Sequence, residues 1–140
     1  MPGGHPKSLK YDAAKPRLGY ACTVAAIIVT GLVVRHPGLG VPWPVAKYGG
    51  SILWGGIVFF LVATAAPTAP RARRAGIAAG IAVLVELVRL YHTPWLDDFR
   101  LTLAGALLLG RFFSVWNIVA YWTGIVAGVL AESRFRRHRV

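Results

Sequence analysis

Charged and amide side chains are concentrated in one part of an otherwise apolar sequence, between residues 84 and 117. Glu86 and Arg89 lie three residues apart near the end of an apolar run, a spacing that puts both on one face of a helix. An ionised side chain facing lipid costs about 3 kcal/mol, so Glu86 should face other helices or pair with Arg89. Asn117 and Tyr121 begin another apolar run, four residues apart. We therefore predict a polar site near one face of a membrane, to which these four side chains contribute.

A short polar run and a short apolar run lie between these pairs. Asp98 and Arg100 precede the apolar residues 101–110, and Arg111 follows them. Ten residues make roughly 15 Å of helix, half of a hydrocarbon core, so this piece is expected to enter and leave on the same side. Its broken backbone must be shielded by protein, and its N-terminal N–H groups favour an anion. We expect Arg100 and Arg111, with Lys47, to form a pocket for a phosphate or carboxylate headgroup.

Catalytic and metal-binding patterns are weak in this sequence. His92 and Asp98 have the chemistry of a base and its orienting group, and Glu86 that of an acid in an apolar site. No nucleophile elbow, phosphate-cradling loop or zinc spacing is present. The spacing of His36, His92 and Asp97 fits no metal motif. We predict neither a metal nor a cofactor.

Composition points to a membrane protein. The chain has 140 residues, of which 56% are hydrophobic and only 15% charged, unlike an ordinary soluble domain. Sixteen Lys and Arg residues oppose five acids, but they form short clusters between long apolar segments rather than one basic patch. This distribution excludes nucleic acid as the expected partner. The single Cys22 excludes a disulfide within the chain.

The apolar segments predict an all-α, polytopic integral membrane protein with four transmembrane helices and one short re-entrant half helix. The residues between the first two spans, 35–46, contain three Pro and two Gly and are not expected to form a regular helix. One transmembrane domain (18–131) lies between a basic tail at 1–17 and another at 132–140. The expected spans are 18–34, 48–66, 75–91 and 115–131.

The distribution of basic residues predicts the orientation. With four crossings, the N-terminal tail, a loop at 71–74 and the C-terminal tail share one face and carry four, three and four basic residues. The opposite face carries only four, namely Arg35, Lys47, Arg100 and Arg111. The positive-inside rule then places both termini in the cytoplasm.

The last span has a stripe of small and polar residues. Asn117, Tyr121, Gly124 and Gly128 recur at helical spacing on one face. Gly124 and Gly128 are four apart, which is typical of close helix packing, and we assign them that role.

These features together resemble a family of small bacterial membrane proteins defined as a domain of unknown function, DUF2809. The motifs that carry the resemblance are Arg35, Lys47-Tyr48-Gly49-Gly50, Leu53-Trp54, Glu86, Leu90-Tyr91, Arg100, Thr102, Gly105, Leu109-Gly110, Phe113, Tyr121 and Gly124. More distantly the chain is similar to VanZ-like proteins. The resemblance implies a multi-pass α-helical protein of the bacterial inner membrane, and for VanZ-like members a loose link to glycopeptide resistance.

The chain departs from the family pattern at three positions. Ser51 and Asn117 stand where Asp is common, and Arg89 where Gln is common. The site therefore carries about three more units of positive charge, which disfavours any activity that depends on those carboxylates, metal binding above all.

The function expected from this pattern is that of a binding or accessory module, with a polar site at the outer leaflet for an anionic headgroup or a partner. Membrane lipids and other membrane protein subunits are the expected partners. One alternative is a structural accessory subunit of a larger membrane complex, in which the charges pair with another chain. The other is an enzyme acting on a lipid-linked substrate, with Glu86 or Asp98 as acid or base.

Overall fold

Four long helices and two short ones form the structure, a computed structural model that describes the backbone of residues 6–110 and 112–138. Side chains are described from Lys15 onward, except that of Leu107. A 3-10 turn, Pro37–Leu39, links the first two helices. The helices are α1 (Pro6–Val34), α2 (Trp43–Ala65), α3 (Arg71–Val88), α4 (Pro94–Leu101), α5 (Leu103–Leu108) and α6 (Val115–Arg137).

The four long helices pack as a bundle centred on α2. Helix α2 contacts α1, α3 and α6, and α3 also contacts α6. The C-terminal end of α1 lies against the N-terminal part of α2, where Arg35 covers Gly50. The C-terminal end of α3 meets the N-terminal end of α6, where Asn117 donates a hydrogen bond to Glu86. One end of the bundle, here called the cavity end, therefore carries α4 and α5, and the other, the basic end, carries the basic residues of α3 and α6.

Helices α2 and α6 run side by side at very short range because of three glycines. A Cβ at Gly55 would overlap the backbone of Tyr121, and one at Gly124 would overlap the carbonyl of Ile52. At Gly128 a Cβ would lie 2.9 Å from the ring of Phe59. The glycines that the sequence assigns to packing thus face α2, as expected of a small-residue helix contact.

All regular secondary structure in the described residues is helical. Three of the helices are long and apolar enough to cross a membrane. These segments are Lys15–Val34, Trp43–Ala65 and Val115–Arg137. Large apolar side chains remain exposed on the outward faces, for example Val29 (60% exposed) and Val126 (57% exposed). An apolar outer surface around a packed interior suits a lipid environment.

Two predicted boundaries near prolines differ from the structure. The second helix begins at Trp43, not at residue 48, because Pro44 lies in its first turn, where the missing N–H and fixed φ favour helix initiation. Residues 71–74, predicted as a loop, form the first turn of α3, whose N-cap is Pro70. The third helix also ends earlier than predicted, at Val88. Glu86 therefore lies roughly 3 Å from the helix end rather than 7–8 Å.

The segment between α3 and α6 also differs from the prediction of one ten-residue helix. Residues around Asp97, described in the sequence only as a short polar run, form α4, which has Pro94 at its start. Thr102 then interrupts the chain in an extended conformation (φ −72°, ψ 157°) and accepts a hydrogen bond from Gly105 N, 3.1 Å. Such a threonine N-cap begins a new helix, so the apolar run forms only the six-residue α5. At the other end of the chain, α1 begins at Pro6, within the segment predicted as a tail.

Candidate functional site

The carboxylate of Glu86 is fully buried and joins α3 to α6. Its Oε2 lies 2.6 Å from Nη1 of Arg89, and its Oε1 accepts hydrogen bonds from Ser114 N (2.7 Å) and Asn117 Nδ2 (3.1 Å). Ser114 is the N-cap of α6, so a negative charge is held at a helix N-terminus, which stabilises it. The negative charge of this carboxylate is therefore balanced inside the protein.

Arg89 extends the same network toward the segment after α5. Its Nε donates to the carbonyl of Leu109, Nη1 lies 3.5 Å from the carbonyl of Phe112, and Nη2 donates to Tyr121 Oη at 2.7 Å. The ring of Tyr121 packs against Trp54 at 4.7 Å between centroids. The guanidinium thus fixes the chain on both sides of residue 111 against α3 and α6. The structure brings together the four side chains that the sequence groups: Glu86, Arg89, Asn117 and Tyr121.

A cavity of about 380 Å³ opens beside this network at the cavity end. Three cationic side chains line it, Arg35, Lys47 and Arg89, and no Asp or Glu is among the described residues of its wall. Ser51 and Asn117 add polar groups. The aromatic part of the wall consists of Trp43, Trp54, Phe112, Phe113 and Tyr121.

Arg35 and Lys47 are held at the wall by α2. A Cβ at Gly50 would lie 2.5 Å from Nη2 of Arg35, so this glycine makes room for the guanidinium. Nζ of Lys47 lies 4.9 Å from the ring centroid of Trp43 and 5.3 Å from that of Tyr48, both within cation–π range. In the part of the chain that the structure describes, neither cation forms an ion pair with a carboxylate. Arg35 was not among the site residues predicted from the sequence.

The remaining predicted site residues lie elsewhere. Arg100, expected in the anion pocket, is buried (3% exposed) and does not line the cavity. Its Nη2 donates to the carbonyl of Val88 at 2.7 Å, because the last carbonyls of α3 lack partners within the helix. Its Nη1 donates to Asp97 at 2.8 Å. Asp98 is exposed and lines no part of the cavity. Arg111 lies outside the described residues.

A second buried cluster lies at the basic end, and sequence reasoning did not find it. Glu132 is 4% exposed and Arg74 is 1% exposed. Oε1 of Glu132 accepts a hydrogen bond from Tyr20 Oη at 2.6 Å and one from Arg74 Nη2 at 2.8 Å. The sequence does contain a signal, since Glu132 is the one acid next to a run of arginines. Residues 132–140 were instead predicted to be a basic tail outside the transmembrane domain.

Groupings suited to metal or acid–base chemistry are few. Among the side chains that the structure describes, from Lys15 onward, no three His, Cys, Asp or Glu residues come together as metal ligands would. Nδ1 of His92 lies 3.2 Å from Asp97, and not against Asp98 as predicted. Both residues of that pair are substantially exposed.

Comparison with known proteins identifies the family. A family model described as a protein of unknown function (DUF2809) matches residues 41–125, and no solved structure matches the chain. The matched region contains every described residue of the cavity wall except Arg35. Because the match covers more than half of the sequence, the chain belongs to the DUF2809 family of proteins of unknown function.

Proposed function

We propose that this protein is a binding module of the bacterial inner membrane, and that its cavity binds the phosphate or carboxylate headgroup of an anionic lipid or lipid-linked molecule. One observation carries the proposal: three cationic side chains and no described acidic side chain line a cavity of about 380 Å³. A headgroup with one negative charge would find there the counter-charge that the protein does not supply.

The charge balance of the wall supports an anion. Glu86 offsets the charge of Arg89 at 2.6 Å. Arg35 and Lys47 have no carboxylate partner among the described side chains. Near a protein surface, two unit charges 4 Å apart interact by about 4 kcal/mol, several times the value in bulk water. The rings of Trp43 and Trp54 suit the membrane–water interface, where the headgroup of a lipid lies.

The same proposal includes a four-crossing topology with the cavity end facing outward. Helix α3 has 18 residues and four charges, but the charges lie near its ends and those of Arg74 and Glu86 are buried in ion pairs. It packs against both α2 and α6 and runs antiparallel to α6, since Glu86 meets Asn117 at one end and Arg74 meets Glu132 at the other. With α3 as the fourth crossing, α4 and α5 enter and leave on one side, and the basic clusters of both termini share the cytoplasmic face.

Lipid counting by native mass spectrometry tests the binding proposal. The delipidated protein in a neutral detergent is titrated with phosphatidylglycerol or with phosphatidylcholine of the same acyl chains. We expect the double variant Arg35→Ala, Lys47→Ala to bind phosphatidylglycerol at least about tenfold more weakly at one site, since charge-assisted contacts contribute roughly 1.5–3 kcal/mol each.

The matched control is Arg73→Ala, which removes an exposed cation at the basic end that does not line the cavity. It should bind as the unaltered protein does. Equal binding of both lipids, or equal loss in the control, would contradict the proposed site. Retention of a stoichiometric partner protein in place of lipid would instead support the accessory-subunit alternative.

A further inference from the structure

We infer that the basic end holds a second lipid site, independent of the first, in which the phosphate of an anionic phospholipid binds between α1 and α6. The observation behind it is an excess of positive charge around Glu132, which itself lines a cavity of about 270 Å³. The proposed function of the cavity end is not needed for this inference.

One carboxylate faces three guanidinium groups at this site. Arg74 lies 2.8 Å from Glu132, Arg136 lies 3.7 Å from it, and Arg71 lies 3.8 Å from it. Arg74 also donates its Nε to the carbonyl of Ala69 at 3.1 Å and is fully enclosed. A single negative charge therefore balances one of the three cations, and the cluster has a net charge of about +2.

Arg136 is the guanidinium best placed to meet a ligand. Its side chain is 56% exposed, its contact to Glu132 is long, and it lines the cavity together with Lys15. Arg74 already has the short bond to the same carboxylate oxygen, so Glu132 keeps its partner if Arg136 turns toward an anion.

Glu132 and Tyr20 also line the cavity, bonded to each other, and the charge of Glu132 is matched by Arg74 at 2.8 Å. The other wall residues are largely apolar and favour an amphiphile over a free anion. Phe60, Phe135, Pro16 and Gly19 line the cavity. The hydroxyl group of Thr23, also in the wall, donates to the carbonyl of Gly19 at 2.9 Å. A volume of this size holds a headgroup and glycerol, with the acyl chains outside along the exposed apolar surface of α1.

Gly19 allows the cavity to be filled without disturbing the bundle. A Cβ at Gly19 would meet no atom within 4 Å, so Gly19→Phe places a ring in the cavity rather than against the backbone. Gly76 on α3 is the matched control, because a Cβ there also meets no atom within 4 Å and the residue lies outside the cavity wall. Arg136→Gln and its control Arg134→Gln test the charge in the same way.

The experiment is again lipid counting with phosphatidylglycerol, phosphatidylcholine and soluble glycerol phosphate. We expect Gly19→Phe to lose one tightly bound phosphatidylglycerol and Arg136→Gln to weaken that site about tenfold, with Gly76→Phe and Arg134→Gln unchanged. The lipid lost in Arg35→Ala, Lys47→Ala is a separate one, so the failure of either site can be recognised without the other.

Three results would overturn the inference. In the first, Gly19→Phe and Arg136→Gln bind as many lipids as their controls. In the second, phosphatidylcholine binds as well as phosphatidylglycerol. In the third, glycerol phosphate competes at concentrations similar to the lipid, which would make the ligand a free phosphate. If Gly19→Phe does not fold, the comparison of Arg136→Gln with Arg134→Gln decides.

Discussion

At the scale of single residues, the arginines of this protein divide between structural and ligand-facing roles according to their neighbours. Arg89 and Arg100 use their donors on backbone carbonyls and on a carboxylate, whereas Arg35 has no carboxylate partner among the described side chains. A guanidinium that bonds backbone carbonyls and a carboxylate holds the fold together, and one without a counter-charge can bind an anion.

Removing Glu86 should destabilise the protein more than removing both members of its pair. Glu86→Leu leaves Arg89, only 8% exposed, without its counter-charge, and we expect a loss of about 3 kcal/mol in the free energy of unfolding. Adding Arg89→Leu removes the buried charge and should recover part of the loss. It cannot recover all of it, since Ser114 N and Asn117 also lose their acceptor. Thermal unfolding in detergent measures the order, and a double variant no more stable than the single one would contradict the pairing.

Arg100 and Asp98 should differ sharply in their effect on stability. Arg100→Ala removes the donor to the last carbonyl of α3 and the partner of Asp97, and we expect a loss of about 2 kcal/mol. Asp98→Ala alters an exposed carboxylate and should change stability by less than about 0.5 kcal/mol. Equal unfolding temperatures for the two variants would show that the Arg100 contact contributes nothing.

Residue types in the sequence predicted the Glu86 network but not the Glu132 network, for a physical reason. Glu86 and Arg89 interrupt a long apolar run, so burial was the only environment open to them. Glu132 stands beside Arg134 and Arg136, and a helix end rich in charge is equally compatible with solvent. Its burial depends on Tyr20 and Arg74, which come from distant parts of the chain.

At the scale of helices, the close contact of α2 with α6 depends on glycine. Gly124→Ala should push the helices apart, because its Cβ would overlap the carbonyl of Ile52, and we expect a loss of about 2 kcal/mol. Gly76→Ala is the control: its Cβ meets open space, and alanine is favoured over glycine in a helix by about 1 kcal/mol. The two variants should shift the unfolding temperature in opposite directions, and a shift in the same direction would contradict this packing.

Helix ends were predicted well where a strong signal stands at the boundary. Helix α1 ends at Val34, as predicted, because Arg35 and Pro37 follow it. Helix α6 begins at Val115, as predicted, directly after its N-cap residue Ser114. The start of α3 was missed because Arg71, Arg73 and Arg74 look like a solvated loop. The break at Thr102 was also missed, as its capping bond to Gly105 is local chemistry that apolar periodicity does not report.

At the scale of the whole molecule, two buried charge clusters hold the bundle at its two ends. Tyr121 and Glu132 are eleven residues apart on α6, which is roughly 16 Å of helix and about half of a typical hydrocarbon core. At least one cluster therefore lies at a depth where an unpaired charge would be costly. The ion pairs at both ends compensate the buried charges of these helices.

Labelling of single cysteines in intact cells tests the orientation. In a Cys22→Ser background, Asp98→Cys on exposed α4 should react with an impermeant maleimide, whereas Arg137→Cys at the end of α6 should react only after lysis. Labelling of residue 137 but not residue 98 in intact cells would show the opposite orientation.

The most direct measurement is an experimental structure of the protein in a nanodisc that contains phosphatidylglycerol. The expected result is headgroup density between Arg35 and Lys47, with the phosphate within about 4 Å of both cations and inside the cavity that Arg89 also lines. A cavity that holds only water while ordered lipid lies elsewhere on the surface would contradict the proposal that this cavity binds an anionic headgroup.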